Sequence, residues 1–281
     1  MARSGGLRRS SLRSAAIDED LALALQLADD ADALTTARFR ARDLVVETKP
    51  DLTPVSEADR AVERALRDRL ARERPRDALL GEEYGEMPHD GARRPRGRAR
   101  RTWIVDPIDG TKGYVRGLPV WATLVALVED GVVTVGVVSA PALGRRWWAS
   151  RGNGAFVDGE PVHVSAVARL EDAHLSIDDY TSFAACGLGD ALLALERRCW
   201  RSRGFGDFWS YVLVAEGAVD VAIEPVGLSP WDLAAVMVVV EEAGGRFTDL
   251  SGAARFDGGS AVATNGLLHD DVLRSLRPRE A

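Results

Sequence analysis

The segment Trp103-Ile-Val-Asp-Pro-Ile-Asp-Gly-Thr-Lys112 constrains this chain more than any other. An apolar strand pattern, Trp103 to Val105, runs into two carboxylates three residues apart and then into a Gly-Thr step. Hard cations are held by such clustered oxygens. Asp106 and Asp109 can share metal ions, the carbonyl of Ile108 can add an oxygen, and the amides around Gly110 and Thr111 can meet a phosphate. Two aspartates at a turn are also ordinary turn formers, so the segment alone leaves both readings open.

Other acids carry the same ambiguity. Glu82 follows the short apolar stretch Ala78 to Leu80, at the carboxyl end of a predicted strand, where open α/β sheets place ligands; the alternative is a solvated loop acid. Ser56-Glu-Ala-Asp59 and Ser229-Pro-Trp-Asp232 have a serine ahead of an aspartate, which suffices to start a helix, with Pro230 suited to the first helical position. Asp59 and Asp232 are therefore caps or ligands. The histidines, His89, His163, His174 and His269, lie outside these segments and do not pair at zinc spacing, and the glycine-rich nucleotide cradles are missing. A zinc hydrolase, a His-activated nucleophile and P-loop or dinucleotide binding are all disfavoured.

Periodicity places these segments in a mixed α and β chain. Asp18 to Arg42 reads as an amphipathic helix with Leu21, Leu25, Ala28, Ala31 and Leu34 on one face, and Ser56 opens a second helix to about Arg72, stopped by Pro75. A polar loop with Pro88, Gly91, Pro95 and Gly97 follows. Val120 to Val128 and Val132 to Ser139 form a hairpin around Glu129-Asp130-Gly131, and Trp147-Trp148 and Ala155 to Val164 add strand pieces. Beyond Ala166 the pattern alternates: helices at Ala191 to Arg198, Phe208 to Glu216 and Ser229 to Ala243, strands at Val219 to Ile223 and Ala261 to Thr264, then a terminal helix. Gly244-Gly245 reads as a left-handed cap. One unit over residues 15–276, in halves of about 15–165 and 166–276, follows, with the basic stretch 1–14 as a disordered tail.

A chain of 281 residues with 46% apolar content can bury a full core. Its longest apolar run, Val120 to Val128, is too short to span a membrane, so no membrane partner is expected. The arginine-rich start lacks the apolar segment of a secretory signal, and Cys186 and Cys199 suit neither a disulfide framework nor a zinc site, which together predict a cytoplasmic protein. The net charge of −7 argues against nucleic acid. The six arginines between Arg93 and Arg101 would carry a partner-binding alternative, against the reading of a solvated loop. The only two lysines, Lys49 and Lys112, fall within or beside the acidic segments.

Taken in order, Thr53-Pro-Val-Ser-Glu-Ala-Asp59, Gly81-Glu-Glu83, Asp106-Pro-Ile-Asp-Gly-Thr111 and Trp231-Asp-Leu-Ala-Ala235 with Glu242-Ala-Gly-Gly245 resemble the inositol monophosphatase family over nearly the whole chain. The resemblance implies a layered α-β-α-β-α sandwich, usually a homodimer, that hydrolyses a small phosphorylated metabolite with two to three Mg2+ ions. It also implies roles: Glu82, Asp106, the Ile108 carbonyl, Asp109 and Asp232 as metal ligands, Asp59 near a third ion, Thr111 with Glu82 orienting the attacking water, and Gly110 and Thr111 amides on phosphate oxygens. Such an assembly suits the chemistry, because clustered divalent ions neutralise a phosphate dianion that would otherwise repel hydroxide.

Within the family, Ala140-Pro-Ala-Leu-Gly-Arg-Arg-Trp-Trp148 and Gly204-Phe-Gly-Asp-Phe-Trp-Ser-Tyr211 most resemble the histidinol-phosphatase branch. That resemblance implies histidinol phosphate as substrate, in histidine biosynthesis, with Arg203, Gly206, Asp207 and Glu224 as contacts to the alcohol portion. An amine and an imidazole would welcome an anion at Asp207, with Trp209 near; the alternative for Asp207 is plain capping of the following helix. Inositol phosphate or another sugar phosphate is the neighbouring reading. Two departures from the family pattern stand out: Gly113 replaces an asparagine that would brace the metal loop, and the stretch from Glu224 to Trp231 has one residue more than the family's, which predicts a looser loop and a displaced Glu224.

Overall fold

The computed structural model describes residues 5–50, 52–87 and 100–277, with side chains from residue 19 onward. Its first half runs through α1 (Gly5–Arg38), β1 (Val46–Thr48), β2 (Pro54–Ser56), α2 (Glu57–Glu73), β3 (Ala78–Gly81), β4 (Gly85–Met87), β5 (Arg101–Asp109), α3 (Thr111–Val115), β6 (Ala122–Glu129), β7 (Val132–Ala140), β8 (Arg145–Ser150), β9 (Ala155–Val157) and β10 (Glu160–Val162). The second half holds β11 (His174–Ile177), α4 (Tyr180–Ala185), α5 (Gly189–Glu196), β12 (Arg201–Gly204), α6 (Asp207–Ala215), β13 (Val221–Glu224), α7 (Pro230–Glu242), β14 (Arg246–Thr248), β15 (Ala261–Thr264) and α8 (His269–Leu276).

Two sheets result. The larger, in order β10-β9-β8-β7-β6-β5-β3-β4, is antiparallel except where β3 joins β5; the smaller, β12-β11-β13-β15-β14, has its parallel pairs around β11. Period-two alternation sorts the apolar residues of each strand between two cores. On β5 and β6, Trp103, Val105, Val125 and Leu127 face α1 and α2, whereas Ile104, Leu124 and Ala126 face α6 and α7. On β13 and β15, Ala222, Ala261 and Ala263 face α6 and α7 from the other side, whereas Val221, Ile223 and Val262 pack on α5 and α8. The stack is helix, sheet, helix, sheet, helix, which is the layered sandwich.

The middle layer explains the odd composition of α7. Leu233 through Val240 are all buried, because this helix has sheet on both sides and no solvent face. It lies close: a Cβ added at Gly136 of β7 would come within 2.6 Å of the Ala235 carbonyl oxygen, so only glycine admits the helix there. At its end Gly244 (φ 92°) donates to the Glu241 carbonyl and Gly245 to that of Val240, the left-handed cap expected. The β6–β7 hairpin and the helix starting after Ser56 also stand where the sequence puts them.

Several elements differ. Helix α1 begins at Gly5, inside the stretch 1–14 expected as a tail, where no proline interrupts Arg, Leu and Ser; residues 1–4 lie outside the described residues. It ends at Arg38, four residues early, followed by Arg40 in the left-handed region (φ 61°). Its buried stripe is Leu23, Ala24, Leu27, Ala28 and Ala31, while Leu34 is exposed, because the small alanines let the helix lie flat on the sheet. Strands β1, β2, β4, β11, β12 and β14 went unpredicted; at three or four residues they are too short for a periodic signal. The loop with Pro88, Gly91, Pro95 and Gly97, and Arg93 to Arg98, lie outside the described residues. The last arginine of that run, Arg101, is internal to the fold and pairs with Asp20, Asp77 and Glu129. Among the described residues no helix is long and apolar enough to cross a membrane.

Candidate active site

The D-P-I-D-G-T segment owes its geometry to a bulge. Asp106 pairs with Leu124 and Asp109 with Ala122, so Pro107 and Ile108 together oppose the single residue Thr123. In a regular strand, side chains three apart point to opposite faces; the extra residue returns Asp109 to the side of Asp106. Pro107 is tolerated here because a bulge asks no ladder donor of it, and its carbonyl accepts from Thr123 Oγ1 at 2.7 Å. The chain then turns at Gly110 (φ 85°) into α3.

Each aspartate is fixed through one oxygen by a backbone amide. Asp106 Oδ1 accepts from Ile108 N (2.9 Å), Asp109 Oδ2 from Phe208 N at the start of α6 (2.6 Å), and Asp232 Oδ2 from Ser229 N at the start of α7 (2.6 Å). Asp59 Oδ2 accepts from the amide and hydroxyl of Ser56 at 2.8 and 2.6 Å, and its Oδ1 lies 3.3 Å from Thr111 Oγ1. Asp59 and Asp232 are therefore caps, as the sequence allows, and capping leaves Asp232 close enough to gather with the others. One ligand atom each from Asp106, Asp109 and Asp232 lies within 4.8 Å of its counterparts.

Ionising such a group is costly. Burial, then the charges of Glu82, Asp109 and Asp232, hold Asp106 well above the usual carboxylate range; burial, then Asp207 and Asp232, do the same for Asp109. Asp232 is pushed up to about 7 by burial and the charge of Glu82, against its amide hydrogen bond. Two buried carboxylates and a half-buried third, with mutually accessible oxygens and no basic partner among the described residues, fit a divalent hard cation, which supplies the missing positive charge.

Glu82 stands beside this group and not inside it. Lys49 Nζ donates to Glu82 Oε1 and Glu83 Oε1, both at 2.7 Å. The turn that carries Glu82 hangs from a buried residue that sequence reasoning missed, Glu63 of α2. Its carboxylate accepts from Glu83 N (2.6 Å), Tyr84 N (3.1 Å) and Arg67 Nε (2.8 Å), and a Cβ on Gly81 would sit 2.1 Å from Glu63 Oε1. A glutamate on a charged helix reads as a solvated face; only its place one helical turn after Asp59 hints otherwise.

These residues border a cavity of about 420 Å³ whose lining includes Glu82, Asp109, Gly110, Thr111, Asp207, Glu224 and Asp232. Ile108 is buried, and its carbonyl accepts from Thr111 Oγ1 at 2.8 Å. Asp207 does not cap its own helix: Gly206 (φ 69°) holds the N-cap position and Asp109 takes the first free amide, so Asp207, itself at φ 48°, faces the cavity. Protein around it and the charge of Asp178 raise Asp207 to about 6. Glu224 reaches the cavity from the end of β13 despite the extra residue after it. Arg203 does not: it is exposed on edge strand β12, with its guanidinium on the Ser202 carbonyl. Trp209 packs against Phe205 away from the lining. Around Gly113 the brace comes from Tyr114, buried against Phe39 and Trp121 with its hydroxyl on the Thr35 carbonyl. Asp178, just after the unpredicted β11, lines the cavity with no sequence signal, and Tyr211, the last residue of the segment that resembles the histidinol-phosphatase branch, lines it too.

The chain was compared with known proteins. Residues 16–280 match the model of the inositol monophosphatase family. The histidinol-phosphatase of Mycobacterium tuberculosis is 59% identical over 92% of this chain and 98% of its own length, and that of Streptomyces coelicolor 51% identical over 93% and 98%. Among solved structures, an IMPase of Thermotoga maritima superposes with a TM-score of 0.80 at 34% identity, over 92% of this chain and 96% of its own. The motifs, the layered fold and these matches agree that the chain belongs to the inositol monophosphatase family.

Proposed function

We propose that this protein hydrolyses L-histidinol phosphate to L-histidinol and phosphate, using two to three Mg2+ ions, as a cytoplasmic homodimeric enzyme of histidine biosynthesis. Hydrolysis of a phosphate monoester is the activity of the family's phosphatases, and the converging trio Asp106, Asp109 and Asp232 carries that reading here. The choice of ester rests on the 59% and 51% identity to two histidinol-phosphatases, against 30% to 36% for relatives named for inositol phosphate.

Bound divalent ions would neutralise the phosphate dianion and acidify water. Asp106, Asp109, Asp232, Glu82 and the Ile108 carbonyl would hold them. The chain's own groups do the rest. The amides of Gly110 and Thr111 meet phosphate oxygens at the turn into α3. Thr111 Oγ1 lies between the Ile108 carbonyl and Asp59 Oδ1, two acceptors for one proton, so it can take a hydrogen bond from the attacking water while passing its own proton toward Asp59. Burial, then the neighbouring charge of Glu82, raises Asp59, against its hydrogen bonds from Ser56, which suits a carboxylate that accepts a proton. Water attacks phosphorus directly, and no covalent intermediate is needed. Beside this loop, Asp207 and Glu224 on the cavity lining receive the amine and imidazole of the alcohol.

The test is phosphate release from histidinol phosphate, inositol 1-phosphate and fructose 1,6-bisphosphate at matched concentrations, with Mg2+ and with a chelator. Strong preference for histidinol phosphate, lost on chelation, is the expected result. Preference for another ester would discard the substrate, and release that survives chelation would discard the metal chemistry.

A further inference from the structure

The cavity lining carries a second acidic group, which begins beside Asp109: Asp207 Oδ2 lies 3.3 Å from where a Cβ on Gly110 would stand. Asp178, just after β11, Asp207 of α6 and Glu224 of β13 make up this group. Among neighbouring charges Asp178 has the largest effect on both Asp207 and Glu224. Yet they are not metal-ligand-like in build. No backbone amide among the described residues ties Asp178 or Asp207, and Lys112 alone offsets their charge.

A second observation points to a ligand. Glu224 is only 7% exposed, and its Oε1 has no hydrogen bond of good geometry; the buried hydroxyl of Tyr211 is the neighbouring donor that interacts with the same carboxylate. Buried carboxylates are almost always well satisfied, so a Glu224 oxygen with no well-formed hydrogen bond on the cavity lining marks where a polar ligand group completes the network. The space is shaped for Asp178 as well: its Oδ1 lies 3.0 Å from where a Cβ on Gly206 would stand, so any larger residue at 206 would press on this carboxylate.

We propose that Asp178 is a specificity-determining residue: with Asp207 and Glu224 it forms an anionic wall that selects phosphate esters of cationic alcohols over those of neutral polyols. A neutral polyol hydroxyl can donate to one carboxylate, but it leaves the wall's net charge unanswered. An ammonium and an imidazolium answer it, and each charge-assisted hydrogen bond is stronger than a neutral one. The discrimination is thus built partly from what the wrong substrate cannot neutralise. The inference rests on an amine-bearing ester such as histidinol phosphate being the substrate.

The experiment compares kcat/KM for histidinol phosphate and inositol 1-phosphate in the wild type, Asp178→Asn and Asp178→Glu. In Asp178→Asn the ratio of the two values is expected to fall about tenfold, through KM for histidinol phosphate, as loss of one charged partner implies. Asp178→Glu should restore much of the ratio, and added salt should erode the wild-type ratio more than the Asn variant's. A wild type that prefers histidinol phosphate together with an Asn variant of unchanged ratio overturns the role of Asp178 alone. A wild type with no preference overturns the substrate assignment and this inference with it.

Discussion

The cavity is lined by two groups of carboxylates that meet where Asp207 neighbours Asp109, and they are built in opposite ways. In one group Asp106, Asp109 and Asp232 each give an oxygen to a backbone amide, at distances of 2.6 to 2.9 Å, so their positions are set before anything binds. In the other, Glu224 keeps an oxygen with no well-formed hydrogen bond, and Asp178 and Asp207 are restrained by little but packing and charge. A tethered group suits an ion with fixed geometric demands, and an untethered one suits an organic cation whose shape varies between substrates. The difference assigns the chemistry to one group and the choice of substrate to the other.

The largest effect should come from breaking the tethered group. Asp109→Asn is expected to lower phosphate release at least about a thousandfold by removing a charge from the metal group. The amide oxygen can still accept from Phe208, so circular dichroism should be unchanged, and near-normal turnover would refute the assignment.

Removing the divalent ions should expose the same group as a liability. Asp106, Asp109 and Asp232 have folded pKa values raised above the unfolded carboxylate value, the last to about 7, so the folded state binds more protons and metal-free stability falls as pH rises from about 4 to about 7. Mg2+ at a hundred times its dissociation constant should restore about 2.7 kcal/mol. Urea unfolding at several pH values, with and without Mg2+, checks both signs; a flat metal-free profile would contradict the account.

These two groups were not equally legible in the sequence. The tethered residues sit in short local motifs, because the bulge at Pro107-Ile108 and the caps at Ser56 and Ser229 are made by neighbours in the chain. Of the untethered ones, Asp207 and Glu224 were implied by resemblance to the histidinol-phosphatase branch, whereas Asp178 becomes visible only when β11, four residues long, pairs in parallel with β13. Glu63 shows the same limit, since its hydrogen bonds reach residues about twenty positions away. The five-layer architecture was implied by family resemblance; alternation alone gave the strands of its longer elements, not their stacking order.

A smaller effect should follow at Glu63, which ties the Glu82 turn to α2. Glu63→Gln keeps the shape but sets an amide group against a donor, and should cost about 2 kcal/mol in stability while raising the Mg2+ concentration needed for half-maximal activity. An unaltered Mg2+ dependence would confine Glu63 to the fold.

A last effect, of similar size in stability but with none expected on activity, serves as a control away from the cavity. His269 is fully buried between the hydroxyls of Thr248 (2.9 Å) and Thr264 (3.0 Å), and burial lowers its pKa to about 4. Its folded value lies below the unfolded one, so its contribution is intact above about 6.5 and lost as pH falls toward 4, by about 2 kcal/mol between pH 7 and 5. Imidazole proton resonances that titrate near 6.5 would show that burial does not act as described.

The most direct measurement is anomalous diffraction from crystals of the protein soaked in Mn2+ as a surrogate for Mg2+. The account predicts metal peaks among Asp106, Asp109 and Asp232 and none among Asp178, Asp207 and Glu224. A peak in the second group, or an empty first group, would contradict the division of labour between them.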